Sequence, residues 1–269
     1  MKTSVVVSNG TFPCSTAPLQ GSLQEAAQQA ASIGFDALQL TASGPAELDI
    51  AATQEAVRPF GLSISGIATG RANTVDGLSL GAGEEERRLR TVRRTQEFLE
   101  AARQLDHGAV VIGSLRGRFS DAASPEEYHR QFAESIRQLL PVAEQCQVPL
   151  LLESFNHLEA DAFYRVRETA DFIRSFHSPW LRLQLDSSHL LCEGEDPREA
   201  VLEAGDLLGQ VDLSGQGRQA PGPGAVDFPR LIRALRETDY QGYLVFEFRP
   251  EEEGARRGFQ YIRGLWEEE

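Results

Sequence analysis

Three acids in this chain stand at the ends of apolar runs. Glu153 follows Pro-Leu-Leu-Leu, Asp186 follows Leu-Gln-Leu, and Glu247 follows Leu-Val-Phe. A carboxylate on the last residue of an apolar strand is costly to desolvate without a partner. Two carboxylates about 4 Å apart repel by roughly 4 kcal/mol at an effective dielectric of 20, and three together cost several times that. They must be protonated, paired with arginine, or bound to a cation. A divalent ion with oxygen ligands meets the need of all three at once. Taken singly, each acid has an ordinary role as a helix cap or a local ion pair. Three of them at the strand ends of one sheet favour the metal.

Other groups narrow the chemistry. The stretch Ile112-Gly113-Ser114-Leu115-Arg116-Gly117-Arg118 puts two arginines at the end of another apolar run. They could hold a phosphate or carboxylate of a substrate, neutralise the acids, or lie on the surface. The only lysine is Lys2, so Schiff-base and pyridoxal phosphate chemistries lack their amine. The five histidines, His107, His129, His157, His177 and His189, are too few for a multi-zinc phosphodiesterase of the endonuclease IV kind. The net charge of -14 argues against nucleic acid and anionic membranes as partners. Cys14, Cys146 and Cys192 show no C-x-x-C spacing and read as buried or incidental thiols of a reducing compartment. No apolar run reaches the roughly 18 residues of a membrane span, and the N-terminus lacks a signal-peptide pattern. A cytoplasmic location is expected.

The elements that must position these residues alternate regularly. Strands are predicted at residues 3–8, 37–41, 62–68, 109–113, 148–152, 181–185, 207–213 and 243–248. Helices are predicted at 23–33, closed by Gly34, at 49–60, with Asp49 in its first turn and Gly61 past its end, and at 84–105. Another opens at Ser124 with Pro125 and Glu127 in capping-box order. Further helices are predicted near 162–176, 197–204, 228–237 and 254–266. Residues 69–83 are glycine-rich and irregular, either a loop over a site or a surface connection. Eight β/α units in 269 residues predict an α/β fold, a single (β/α)8 TIM barrel over residues 1–269. An open doubly wound sheet would want a G-x-G-x-x-G turn after the first strand, where the chain reads Ser8-Asn9-Gly10-Thr11.

The segments Glu153-Ser-Phe-Asn156-His-Leu-Glu159, Asp186-Ser-Ser-His189, Arg218-Gln-Ala-Pro-Gly-Pro-Gly224 and Phe246-Glu247 resemble the sugar isomerase/epimerase superfamily. These xylose isomerase-like barrels include ketose 3-epimerases, hydroxypyruvate isomerase and inosose-processing enzymes. The resemblance covers roughly residues 148–250; the N-terminal half matches only in its β/α rhythm. It implies that Glu153, Asp186 and Glu247 ligate one divalent metal and that Glu153 and Glu247 are also the catalytic acid and base. It implies further that His189, Glu159 and Arg218 face the substrate. Arg116 joins them from the arginine pair at the fourth strand. The seventh strand of that superfamily usually offers His, or in some members Gln, to the metal, and here Asp212 stands at that place. As fourth ligand, Asp212 would favour hard ions, Mn²⁺ or Mg²⁺, with Zn²⁺ and Co²⁺ still open. Alternatively Asp212 pairs with an arginine, or the metal site has decayed.

The activity this implies is isomerisation or epimerisation of a small keto-sugar, polyol or related hydroxy-carbonyl compound through an enediolate. An inosose dehydratase-like lyase would use the same residues, and a non-catalytic binding barrel would follow from loss of the metal. The expected partner is a small carbohydrate-like molecule; a homo-oligomer is compatible with the sequence.

Overall fold

Each predicted apolar run forms a strand in the computed structural model, which describes residues 1–9 and 14–268. The strands are β1 (Lys2–Asn9), β2 (Ala37–Thr41), β3 (Ser63–Ala68), β4 (Ala109–Ile112), β5 (Leu150–Glu153), β6 (Leu181–Asp186), β7 (Leu208–Leu213) and β8 (Tyr243–Phe246). All neighbours are parallel, and β1 pairs with β8 from Lys2↔Tyr243 to Val5↔Phe246, which closes a TIM barrel. A three-residue strand, Leu19–Gly21, adds beside β1. Gly10 and Thr11, part of the turn read above, lie outside the described residues.

Alternation along the strands separates two environments. Leu38, Leu40, Val110, Ile112, Leu150, Leu152, Leu183, Leu185, Leu244 and Phe246 belong to one large buried cluster, shared with the helices that surround the barrel. The residues between them point inward. They make two small apolar clusters, Val6 with Ala17 and Val245, and Ala109 with Val111 and Leu151. The rest of the inner face is polar: Ser4, Gln39, Ser65, Gln184 and Gln210 are all buried, and the Ser4 and Ser65 hydroxyls meet at 2.7 Å. Buried amides and hydroxyls of this kind must find partners within the barrel.

Two register shifts set which side chains turn inward. Leu38 pairs with Ile64 but Gln39 with Gly66, and Leu183 pairs with Leu208 but Gln184 with Gln210. The extra residues are Ser65 and Gly209. Each is a bulge that lets residues three apart, Ile64 and Ile67 or Leu208 and Val211, both face the helices. Beyond the second bulge, Gln210 and Asp212 point inward; in an unbroken strand beginning with Leu208 outward they would not.

The helices that return the chain are α1 (Leu23–Ile33), α2 (Ile50–Val57), α4 (Glu85–Gln104), α5 (Pro125–Cys146), α6 (Val166–Arg174), α8 (Pro197–Ala204), α9 (Phe228–Glu237) and α10 (Gly254–Glu267). Their caps are those the sequence announces. Gly34 adopts φ 111 after α1, Asp49 caps α2 rather than lying inside it, and the last turn at 58–60 is 3₁₀ before Gly61. At α5 the capping box is half formed. Ser124 accepts from the Glu127 N–H, while the Glu127 carboxylate accepts from Ala123 instead of Ser124. Two short helices went unpredicted, α3 (Gly70–Thr74) within the glycine-rich stretch and α7 (Ser187–Glu193) directly after β6. Both sit at the C-terminal ends of strands, above the barrel. Lys2 lies at the other end, opposite Tyr243 at the start of β8. Among the described residues no helix is long and apolar enough to cross a membrane.

Candidate active site

The C-terminal mouth of the barrel holds a cavity of about 500 Å³. Glu153, the last residue of β5, Asp212 near the end of β7, and Glu247, just past β8, line it together with Glu159 and Arg218. Asp186 ends β6 and is wholly buried beside them. Oxygens of Asp186, Asp212 and Glu247 lie within 4.8 Å of one another, and so do ligating atoms of Glu153, Asp186 and His189. The strand-end acids therefore do meet, and Asp212 joins them.

Each acid is held differently. Asp186 Oδ1 caps α7 by accepting from the Ser188 and His189 N–H groups at 2.7 and 3.2 Å. Its Oδ2 accepts from Arg218 Nη1 at 2.5 Å. So the capping role and the site role belong to the same carboxylate. Burial opposes its ionisation, but Arg218, His189 and the two backbone donors hold it below the usual carboxylate range. Glu247 accepts from Thr16 Oγ1 at 2.9 Å and from Arg218 Nη1 at 3.3 Å. Burial pushes Glu247 up to about 7; Arg218 pulls against this, and Glu153 and Asp186 add to it. Asp212 accepts from two carboxamides, Gln210 Nε2 at 2.7 Å and Gln184 Nε2 at 2.8 Å. It pairs with no arginine among the described residues, so of the alternatives posed for it the arginine pairing falls away. Burial, then Glu247, Glu153 and Asp186, push it well above its usual value.

Glu153, Asp186, Asp212 and Glu247 crowd this end of the barrel, and Arg218 pairs with two of them, Asp186 and Glu247. Burial is the largest cause of the upward push on Glu247 and Asp212, and the neighbouring carboxylates add to it. A hard divalent cation fits this all-oxygen donor set. Buried Glu, Asp and His side chains thus form a constellation consistent with a metal centre.

His189, on α7, is buried between the acids. The Asn156 amide oxygen accepts from the Leu158 and Glu159 N–H groups, which fixes the amide orientation. Its Nδ2 then donates to His189 Nδ1 at 2.6 Å and to Glu159 Oε1 at 3.0 Å. The ring proton accordingly belongs on Nε2, which faces Glu153 Oε1 at 3.3 Å. Arg218 Nη2 lies 3.1 Å from that same nitrogen. A guanidinium has no acceptor to offer there, so this contact favours neither partner.

Arg116 is placed differently from the expectation. It is 1% exposed and does not line the cavity. Its donors go to the carbonyls of Gly113, Ala162, Phe163, Ile112 and Glu153, and its guanidinium carbon lies 4.5 Å from the Phe155 ring centre. Arg116 braces the strand end that carries Glu153, with its donors spent on these carbonyls. Arg118 is half exposed and bonds Glu159 O and Asp161 on the rim. Arg116→Met should lower the free energy of unfolding by about 3 kcal/mol, because several buried carbonyls lose a charged donor. Urea denaturation of the two proteins checks this.

Sequence reasoning passed over Gln184, Gln210, Asn156 and Thr16. Gln184 and Gln210 each precede a site acid by two residues, so period-two alternation from Asp186 and Asp212 would have found them. Gly113 was legible only as a strand end. A Cβ there would come 2.9 Å from Glu153 Oε2, so the glycine makes room for the carboxylate.

Comparison with known proteins gives the family and the fold. The family described as Xylose isomerase-like TIM barrel matches residues 27–265. L-ribulose 3-epimerase of Methylomonas sp. strain DH-1 is 27% identical over 222 residues, 81% of this chain and 75% of that one. D-psicose 3-epimerase of Enterocloster bolteae is 34% identical over 113 residues, 42% of this chain, and the match spans only 38% of that relative's length. A crystal structure of D-psicose 3-epimerase in the presence of D-fructose superposes with a TM-score of 0.85 at 18% identity over 99% of both chains. That of 3-keto-D-glucoside 4-epimerase from E. coli gives 0.81 at 22% identity over 98% of this chain and 100% of the other. The structural matches carry the fold.

Proposed function

Because the chain belongs to the xylose isomerase-like TIM-barrel family, we propose that it is an isomerase or epimerase of a small keto-sugar or related hydroxy-carbonyl compound. The observation that carries this reading is a pair of glutamates, the buried Glu153 and the partly buried Glu247, brought from the ends of strands β5 and β8 to the wall of one cavity. Relatives named as ketose 3-epimerases and as a 3-dehydro-D-guloside 4-epimerase support the substrate class.

The residues divide the work as follows. One glutamate takes the proton beside the substrate carbonyl, giving an enediolate, and the other returns a proton at a new atom or face. In the site without the ion Glu247 is pushed up to about 7; a cation held by its carboxylate would lower that value and keep it ionised, ready to accept a proton. His189 donates from Nε2 toward Glu153 and keeps that carboxylate aimed at the cavity. Glu159 and Arg218, both on the cavity wall, offer an acceptor and donors to substrate oxygens. Oxygens of Glu153, Asp186, Asp212 and Glu247 would hold the metal, Mn²⁺ or Mg²⁺ by preference. When bound, the ion supplies polarisation of the carbonyl and offsets the charge of the enediolate. Gln184 and Gln210 fix the orientation of Asp212, as outer partners of a ligand do.

The direct test is to incubate the purified protein, its metal content measured, with a panel of keto-sugars in deuterated water. Isotope entering the carbon beside the carbonyl supports the reading. No exchange with any sugar, in the presence of Mn²⁺ or of Mg²⁺, would overturn it.

Proton linkage gives a separate expectation. Below pH 7 Glu247 carries a proton that the incoming cation must displace; above pH 7 it does not. Affinity for Mn²⁺ should therefore rise about tenfold or more per pH unit below pH 7, because Glu247 and the raised Asp212 both give up protons to the ion. Calorimetric titration in buffers of different ionisation enthalpy should register the released proton. A pH-independent affinity between pH 5.5 and pH 7 would contradict this.

A further inference from the structure

Outside the cavity, the loop after β5 and the end of α7 bring together three different ligand types. His157, Cys192 and Glu193 each offer one atom, and the three atoms lie within 4.8 Å of one another. Glu193 is buried and held from several sides. Its Oε1 accepts from the His157 backbone N–H at 2.7 Å and lies 2.5 Å from His157 Nδ1, and Arg165 Nε is 3.5 Å from its Oε2. The His157 ring is about half exposed, and Cys192 is a free, exposed cysteine. Both can be reached from solvent while the carboxylate that orients them is fixed.

We propose that His157, Cys192 and Glu193 form a second metal site, for a borderline ion of the zinc class, separate from the oxygen-lined centre in the barrel. One thiolate, one imidazole and one carboxylate are the donors Zn²⁺ prefers, and three protein ligands leave a fourth position for water. The four acids of the barrel mouth suit a hard ion, so the two sites select different metals. On binding, the Cys192 thiol gives its proton to solvent and the thiolate becomes a ligand. Burial first, then the nearby carboxylates of Glu193 and Glu159, disfavour a bare thiolate, and those carboxylates favour a cation in the same place.

The position gives the site a consequence. Cys192 and Glu193 share α7 with His189, while His157 adjoins Asn156, which donates to both His189 and Glu159. An ion here would tie the loop to the helix that together hold His189.

Cobalt(II) titration of the chelator-treated full chain tests this, because cobalt–thiolate bonding gives a charge-transfer absorption that oxygen ligands do not. The band is expected in the wild type and in Asp212→Asn, which keeps all three outer ligands. It should vanish in Cys192→Ser, and His157→Gln should weaken cobalt binding at least about tenfold. Cys14 lines the barrel cavity, so Cys14→Ser is the control and should keep the band. Absence of the band in the wild type, its survival in Cys192→Ser, or its loss in Cys14→Ser would each overturn the assignment. None of these outcomes depends on turnover, so the result stands apart from the proposed isomerase activity.

Discussion

Glu153→Gln is expected to reduce exchange of the substrate proton with solvent by about 10³-fold, and Glu247→Gln to do the same. General acid–base groups typically contribute about 10² to 10⁴, and the amide can neither take nor return the proton. Gln has nearly the shape of Glu, so the cavity should persist. His189, held by Asn156, and Arg218, held by Asp186, keep their other partners. Both glutamates also belong to the proposed cation shell, so metal content must be measured alongside exchange. A variant that binds the ion and has lost exchange identifies a proton-transfer group. Exchange retained at the wild-type rate in either variant refutes the role assigned to that residue.

Arg218→Met should raise the affinity for Mn²⁺ by about ten- to a hundredfold while abolishing or greatly weakening turnover. The guanidinium sits where the acids want a positive charge, 2.5 Å from Asp186 and 3.3 Å from Glu247. Like charges about 4 Å apart repel by roughly 4 kcal/mol per unit pair at an effective dielectric of 20, and part of that is recovered as Arg218 moves away. Burial opposes its charge, but Asp186, Glu247, Glu153 and Glu159 together hold it firmly. It adopts φ 63 and its Nη2 presses on a histidine nitrogen that carries a proton. A cation that takes the Asp186 oxygen would release Arg218 toward the cavity, where it can meet substrate. Calorimetry on wild type and variant measures the difference. An equal or lower affinity in Arg218→Met would show that the guanidinium does not compete with the ion.

Much of the architecture was readable because its causes are local. Helix α1, β2, α8 and α9 were placed to the residue, since apolar periodicity and, for α1, the closing Gly34 lie within a few positions of the ends they define. The misses have equally definite causes. Helix α7 has seven residues, too short for a periodic signal, and its cap is the same Asp186 that reads as a strand-end acid. The helix inside 69–83 is five residues long and begins at a glycine. The repulsion of three strand-end acids already pointed to a metal; the family resemblance added Asp212 as its fourth position and the acid–base pair.

The sequence by itself determined the eightfold β/α alternation, the exclusion of lysine chemistry, and the placing of Glu153, Asp186 and Glu247 at strand ends. Those follow from short-range patterns and from the repulsion of desolvated acids. Only the tertiary structure decided which polar residues face the mouth. Asp212 points inward because a bulge at Gly209 reverses the alternation of β7, and two inner-face glutamines then bind it. Arg116 turns away because five carbonyls from three separate segments converge on it and take up its donors. Register and long-range hydrogen bonding depend on residues far apart in the chain, so no local window of sequence contains them.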